Sequence, residues 1–397
     1  MFVNVTIAAL SVPVLAWTAY LALLALLSRP NRVPPYAPLA QTRFDVVVPA
    51  HDEEIGIAGT VENLLAVDYP RELYRVLVVA DNCRDSTAER AAEAGALVVE
   101  RNDPALRGKG YALAHAFERI LADGLSDAVV VIDADTRVAP NLLHAFAARL
   151  CAGACAAQAE YGVVNRAASW RTRLMHIAFT LFHDLRSRAR ERLGVSAGLR
   201  GNGMMFATPL LREVPHDAFS VVEDVEYGIQ LGLAGRRVHY VGEAQVFAEM
   251  VATEGASRSQ RRRWEGGRRL LARRYGARLL GEGLRRRSPL ILDLAADLLV
   301  PPLTYVALAV IAGVAASAAW VALGRGALWA FAPWCASAAC FTVYVVRGAW
   351  MARVGPRVAL DLLWAPVYMV WKVVLALRAS PSGGQEWVRT AREAKKP

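Results

Sequence analysis

The sequence predicts an α/β domain set among membrane-spanning helices. Apolar, β-branched runs alternate with helix-like stretches between about Thr42 and Gln245. Three long runs carry no charge, one at the N-terminus and two toward the C-terminus. The composition is 55% hydrophobic with a mean hydropathy of +0.27, too apolar for an ordinary soluble enzyme. A length of 397 residues allows one large domain plus membrane segments, or two modest domains.

Met1–Ser28 contains no charged side chain. It exceeds the ~20 apolar residues a spanning helix needs. A cleaved signal peptide would want a basic start and a short apolar core, and neither is present; the segment reads as an uncleaved anchor, residues 1–28. Leu298–Gly324 and Gly326–Val346 are separated only by Arg325 and read as a transmembrane hairpin, residues 298–347. Residues 358–377 are apolar but carry Asp361 and Lys372. A charge near mid-bilayer costs about 2.5–3.5 kcal/mol on insertion scales, so this segment is expected to lie in the interface or to be re-entrant. Arg29, Arg32 and Arg43 follow the first span, and Arg347, Arg353 and Arg357 follow the hairpin. By the positive-inside rule these face the cytoplasm, with the tail 378–397, while the N-terminus and Arg325 face outward.

Strand-like runs occur at Phe44–Ala50, Val76–Asp81, Ala96–Glu100 and Ala128–Asp133. Helix-like stretches at Thr60–Ala66, Ser86–Ala94 and Gly110–Leu121 lie between them. Continuous apolar strands joined by helices predict a parallel sheet covered on both faces. Ligands of such sheets bind at the carboxyl ends of the strands. Those ends read "PAHDEE" (Pro49–Glu54), "ADNCRDST" (Ala80–Thr87) and "DADT" (Asp133–Thr136). Asp133 and Asp135 offer hard oxygen ligands to Mg²⁺ or Mn²⁺, which would bridge a diphosphate; an Asp-rich turn with a helix cap is the plainer reading. "RGKGYAL" (Arg107–Leu113) would let backbone N–H groups and Lys109 approach phosphates, or is a solvated helix start. Gly201 and Gly203 would let the chain pass close to a ligand, or shape a turn. Glu223 and Asp224 open a helix, where acids are ordinary dipole partners; the sharper reading makes one of them a general base.

The net charge is +10. The arginines of Arg258–Arg287 precede apolar runs, so anionic lipid headgroups or an anionic substrate, and not nucleic acid, are the expected partners. The five cysteines, Cys83, Cys151, Cys155, Cys335 and Cys340, are odd in number and lack close metal-type pairs, as for free thiols in a reducing compartment.

Taken in order, Asp81 in "ADN", the pair Asp133 and Asp135, the "ED" of Glu223–Asp224 and the Q-x-x-R-W of Gln260, Arg263 and Trp264 resemble the motifs of family 2 glycosyltransferases. The resemblance is to the membrane-integrated synthases of cellulose, hyaluronan, chitin, poly-N-acetylglucosamine and nodulation chitooligosaccharides, and covers about Phe44 to Arg269. It implies a GT-A (Rossmann-like) catalytic domain, residues 42–265, followed by amphipathic interface helices, residues 266–297. It implies that Asp52 and Asp81 contact the nucleobase and ribose, and that Lys109 touches the donor diphosphate. Asp133 and Asp135 would hold the sugar nucleotide and the metal. Asp224, with Glu223 second in line, would be the base, and Gly201 and Gly203 would form an acceptor-facing loop. Gln260 and Arg263 would close over the diphosphate, and Trp264 would be an acceptor platform; an interfacial anchor is its plainer reading.

The chemistry implied is inverting transfer of a sugar from a nucleotide sugar, by default a uridine diphosphate sugar, on the cytoplasmic face of the inner membrane. Such transfer needs a base for the acceptor hydroxyl and positive charge at the leaving diphosphate. Three spans and one interfacial segment are few for a wide polymer channel. Two enzyme readings therefore stand, a synthase extruding a polysaccharide and a single transfer to a lipid acceptor. A non-catalytic membrane scaffold is the third reading, disfavoured because every expected carboxylate is present. Donor sugar, acceptor, partner subunits and oligomeric state are not legible.

Overall fold

A computed structural model describes residues 1–36, 41–163, 170–248, 254–355, 364 and 369, with backbone alone at 170–171 and 254–262. The expected interfacial segment 358–377, apart from residues 364 and 369, and the tail 378–397 lie outside the described residues. In chain order the elements are α1 (Phe2–Leu27), β1 (Phe44–Ala50), α2 (Ile57–Leu65), β2 (Tyr74–Asp81), α3 (Thr87–Glu93), β3 (Leu97–Arg101) and α4 (Lys109–Asp123). They continue with β4 (Ala128–Val131), β5 (Thr136–Val138), α5 (Leu142–Cys151), β6 (Ala156–Val163), α6 (Trp170–Phe179), α7 (Arg186–Arg192), β7 (Met204–Ala207) and α8 (Thr208–Glu213). The last are α9 (Glu223–Leu233), β8 (His239–Ala248), α10 (Glu254–Arg285), α11 (Pro289–Leu299), α12 (Leu303–Ala322) and α13 (Leu328–Met351).

The chain divides into two compact units. One comprises the described residues of Pro30–Asn165 and Gly194–Leu294. It is built on an eight-stranded sheet of order β3-β2-β1-β4-β7-β6-β8-β5. The strands β3, β2, β1 and β4 are parallel, as their apolar runs predict. Beyond β4 the sheet is mixed: β7 runs antiparallel to β4 and β6, β5 runs antiparallel to β8, and β6 and β8 are parallel. The expectation of a wholly parallel sheet is thus corrected. Strands β5 and β7 have only three and four residues, and β6 and β8 mix glycine and polar residues among the apolar ones. None of these carries the unbroken β-branched run that marks a central parallel strand.

Alternate side chains of β1 face opposite layers, as the two-residue period requires. Val46 and Val48 pack with Ile57, Val61 and Leu64 of α2 and Phe146 of α5. Val47 packs with Leu113 and Phe117 of α4. All seven residues of β1 are buried, and each fully buried valine contributes about 1.5–3 kcal/mol. Helix α4 ends at Gly124, whose φ of 65° places it in the left-handed region while its N–H bonds the Ile120 carbonyl, a glycine stop.

The second unit comprises the described residues of Met1–Arg29, Arg166–Leu193 and Ala295–Ser382. Helices α1, α12 and α13 have 26, 20 and 24 residues and are apolar enough to cross a membrane; at 1.5 Å per residue each reaches about 30 Å or more. Trp320 Nε1 donates to Asn4 Oδ1 at 3.1 Å, and the N–H of Ala327 donates to the same oxygen at 3.4 Å. At the other end Arg347 Nε donates to Ser28 Oγ at 2.9 Å. Helices α1 and α13 therefore run parallel, and the turn containing Arg325 lies beside the N-terminus. Gly313 of α12 is required by close packing, since a Cβ there would lie 2.0 Å from the Trp334 ring.

The stretch expected as one domain, 42–265, is interrupted: α6, a π-helical turn (Thr180–Leu185) and α7 group with the long apolar helices. Tertiary pairing decides this. Arg186 donates to Asp297 Oδ1 at 3.0 Å and to the Tyr344 hydroxyl at 2.9 Å, both buried, and His176 Nε2 lies 3.1 Å from the Ala352 carbonyl oxygen. The expected boundary at 265 falls inside α10, which is continuous for 32 residues.

Candidate active site

The first two strands end in loops that brace each other. Asp52 and Asn82 both have positive φ, 54° and 53°, a conformation short polar side chains tolerate. Asp52 Oδ1 accepts the N–H of Arg84 at 2.7 Å. The N–H of Glu53 donates to Thr87 Oγ1 at 2.8 Å, and that of Glu54 to Asp85 Oδ2 at 3.2 Å. Asp81 is 1% exposed, and its Oδ1 accepts from Arg101 NH1 at 2.6 Å. Asp52 thus lies at a part-exposed loop, whereas Asp81 is buried and already paired.

The next three motifs converge on Lys109. This residue opens α4 behind Gly108, whose φ of 140° is open to glycine. The neighbouring Gly110 meets the loop before α9 so closely that a Cβ would lie 2.2 Å from the Ala218 carbonyl oxygen. Lys109 Nζ lies 2.5 Å from Asp133 Oδ1 and 3.6 Å from Glu223 Oε1, and donates to the Gly201 carbonyl. A Cβ on Gly201 would stand 3.5 Å from Asp224 Oδ2 and 3.7 Å from Lys109 Nζ. Residues 109, 133, 201, 223 and 224, scattered over 116 positions of sequence, thus surround one point.

The two glycines of the 201–203 turn have φ of 79° and 68°. Gly201 faces the carboxylates, but Gly203 faces the core, where a Cβ would meet Val246 at 2.8 Å. Asn202 between them is fully buried. Its Oδ1 accepts the Asp133 N–H at 3.2 Å and its Nδ2 donates to Thr136 Oγ1 at 2.7 Å. Gln158 completes the brace, donating to the Asn202 carbonyl at 2.7 Å and accepting the Arg200 N–H at 2.8 Å. Tyr161 stands near enough to Asp133 and Asp224 to feel both charges, and bonds Asn202. Gln158, Tyr161 and Asn202 carry no motif, and sequence reasoning missed them; Asn202, between two motif glycines, had the only usable signal.

Burial sets the electrostatics. It pushes the Glu223 carboxyl up to about 7 against the pull of Lys109. Asp224 is raised for the same reason. Burial alone would lower Lys109, but Asp133 and Glu223 outweigh it, and the ammonium is held above its ordinary range. Burial also raises the Tyr161 phenol, keeping it protonated. His216, buried against Phe117, Phe219 and Tyr227, is lowered to about 4 by burial and is neutral.

Asp133 and Asp135 are hard oxygen donors of the kind a divalent cation takes. Asp133 and Asp135 are both part-exposed at the end of β4, and Asp133, Glu223 and Asp224 together crowd three carboxylates around one ammonium. Among the described residues the ligand-type atoms of Asp52, Cys83 and Asp85 lie within 4.8 Å of one another. Burial pushes the Cys83 thiol up to about 11, so it is a poor ligand.

Helix α10 brings the last motif. Arg263 is lowered by burial, with Glu223 opposing through its negative charge. Trp264 is 41% exposed. Gln260 lies on the same helix, one turn earlier.

A family model described as glycosyltransferase like family 2 matches residues 41–267. Among curated relatives, the chain is 39% identical over 101 residues to the low-salt glycan biosynthesis hexosyltransferase Agl6 of Haloferax volcanii, covering 25% of this chain and 24% of that protein. It is 30% identical over 230 residues to the beta-monoglucosyldiacylglycerol synthase of Synechocystis sp., covering 56% of this chain and 47% of that one. The chain thus spans no more than about half the length of these two relatives. Among solved structures, the mannosyltransferase of Pyrobaculum calidifontis in complex with GDP-Man and Mn²⁺ aligns with a TM-score of 0.53 at 19% identity, over 88% of this chain and 99% of that one. That likeness places the sheet domain in the GT-A fold. The matched residues contain all four motifs and more than half of the chain, which belongs to glycosyltransferase family 2.

Proposed function

We propose that the protein transfers a hexosyl group, with inversion, from a nucleoside diphosphate sugar to a hydroxyl of a membrane-associated acceptor. The observation that carries this is the convergence of Asp133, Glu223 and Asp224 on Lys109, with Arg263 close to Glu223. Asp224 takes the proton of the acceptor hydroxyl. The acceptor oxygen bonds the anomeric carbon as the bond from that carbon to the diphosphate oxygen breaks. Lys109 and Arg263 supply positive charge where the departing diphosphate gains negative charge. When bound at Asp133 and Asp135, Mg²⁺ or Mn²⁺ would add Lewis-acid counter-charge to the same oxygens. Tyr161 and Asn202 hold the Asp133 side of the site. Asp52, on its part-exposed loop, marks the nucleoside end, with Asp81 buried behind it and held by Arg101.

The acceptor we favour is a lipid receiving one sugar, a reading supported by the monoglucosyldiacylglycerol synthase among the relatives and by three helices able to span a bilayer. The catalytic unit is proposed to lie on the cytoplasmic face of the inner membrane, with the exposed arginines of α10 toward anionic lipid. The test uses purified protein in lipid vesicles containing diacylglycerol, with a panel of radiolabelled nucleotide sugars and Mg²⁺ or Mn²⁺. Label in a glycolipid supports the reading, and label in a polymer replaces it with a processive synthase. Asp224→Asn should lose about 10²–10⁴-fold in turnover at little cost in donor affinity; turnover within a few-fold of wild type would move the base elsewhere.

A further inference from the structure

We infer that Glu226 is a positioning residue for transfer: it locks the register of α10 against α9, so that Arg263 and Trp264 stand opposite the carboxylates Glu223 and Asp224. The inference rests on the transfer reading above and extends it to a residue outside the four motifs.

Glu226 lies on the first turn of α9, two residues after the proposed base, and is 3% exposed. Its two oxygens accept from three donors on two segments. Oε2 accepts the N–H of Ser220, in the loop entering α9, at 3.1 Å. Oε1 accepts from Arg274 NH1 and from the Tyr275 hydroxyl, each at 3.2 Å, and both belong to α10. A buried carboxylate with three donors is a strong tie, because bonds to a charged acceptor are roughly twice as strong as neutral ones.

The tie has a definite target. Along α10 the residues 263, 267, 271, 275 and 279 follow one another at every fourth position as a ridge that winds about 40° round the helix at each step. Leu271, Tyr275 and Leu279 on that ridge are buried. Gly267, three residues after Trp264, meets α9's entry so closely that a Cβ would lie 2.8 Å from Val222 Cγ2. Apolar packing and a glycine contact allow a helix to slide or roll, whereas directional bonds at Arg274 and Tyr275 do not. Those bonds lie about 16 Å along the helix from Arg263. The near end of α10 meets Glu223 through Arg263, and the far end meets Glu226. Both acids stand on the first turn of one helix, so any change in the far tie alters how α10 sits on the helix carrying the base.

Chemistry makes glutamate necessary here. A glutamine would place an NH₂ where one of the three donors must be accepted. A misplacement of about 1 Å in a positioning group can cost on the order of 10²-fold in rate, so the effect should appear in turnover and leave donor binding alone.

The experiment compares wild type, Glu226→Gln and the double variant Arg274→Gln/Tyr275→Phe in lipid vesicles, measuring kcat, donor KM, donor hydrolysis by water and thermal melting. The double variant keeps the buried acid and alters an arginine side chain that is 66% exposed, so it reports even where Glu226→Gln fails to fold. We expect kcat for transfer to fall about 10- to 100-fold, donor KM to change little, and hydrolysis to fall with transfer beyond any loss of folded protein, because Arg263 moves with the helix. Wild-type turnover in the double variant, or a loss of transfer and hydrolysis only in proportion to the folded fraction, would overturn the inference. Active wild type and inactive Asp224→Asn beside unaffected tie variants would sink the tie alone. Wild type without transfer would overturn the functional reading and the tie together.

Discussion

Lys109 Nζ lies 2.5 Å from Asp133 Oδ1, across 24 positions of sequence. This pair joins the glycine-flanked start of α4 to the end of β4, and Glu223 and Asp224 add their charge to the same lysine. Removing the ammonium leaves carboxylates facing one another in a largely buried site, and breaking such a pair typically costs about 3–5 kcal/mol. Lys109→Met should therefore lower the melting temperature and the activity. Adding Asp133→Asn should recover melting without recovering transfer. A double variant no more stable than Lys109→Met, measured by thermal denaturation in detergent, would show that the pair is not the source of the loss.

Glu223 gives a pH signature. Its carboxyl is pushed from an ordinary 4.5 up to about 7 by burial. Between these values the folded protein holds a proton that the unfolded chain has released. The stability from this group is fully present below about pH 4.5 and is lost as the pH rises through about 7. Glutamine is neutral throughout. Glu223→Gln should melt above wild type at pH 8, with the gap closing by pH 5. A gap of the same size at both pH values would contradict the buried, proton-holding state.

Asp135 tests the cation. It is part-exposed beside Asp133 and accepts a long hydrogen bond of 3.4 Å from Thr136 Oγ1. Asp135→Ala should fold normally, lose transfer and weaken nucleotide binding only when Mg²⁺ or Mn²⁺ is present. Isothermal titration with and without chelator measures this. Full activity of wild type in excess chelator would remove the metal from the reading.

Trp264 tests the acceptor side. As a platform for the acceptor it should be dispensable for donor binding: Trp264→Ala keeps nucleotide-sugar affinity, cripples transfer and spares hydrolysis. Arg263→Ala should damage both reactions, because it withdraws charge from the leaving group. As a membrane anchor, Trp264→Ala would instead reduce membrane association, with both rates falling together.

The sequence by itself determined the three long apolar helices, the four central strands and the motif residues. Each of these is written in a local pattern: an uncharged run long enough for a bilayer, a β-branched run, a carboxylate pair at a strand end. It also marked Glu223 and Asp224 as the start of a helix, where α9 begins. Whether they were dipole partners or buried acids was not legible, because burial depends on Lys109, more than a hundred positions away. Only the tertiary structure decided the rest. Strands β5 to β8 are short or mixed in character and form because neighbours pair with them. The segment of α6 and α7 groups with the apolar helices because Arg186 finds Asp297. Asn202, Tyr161 and Glu226 carry no motif, and their importance lies in which distant groups they meet. Local patterns record how a segment buries its own apolar surface; a polar network among distant residues leaves no period in the sequence.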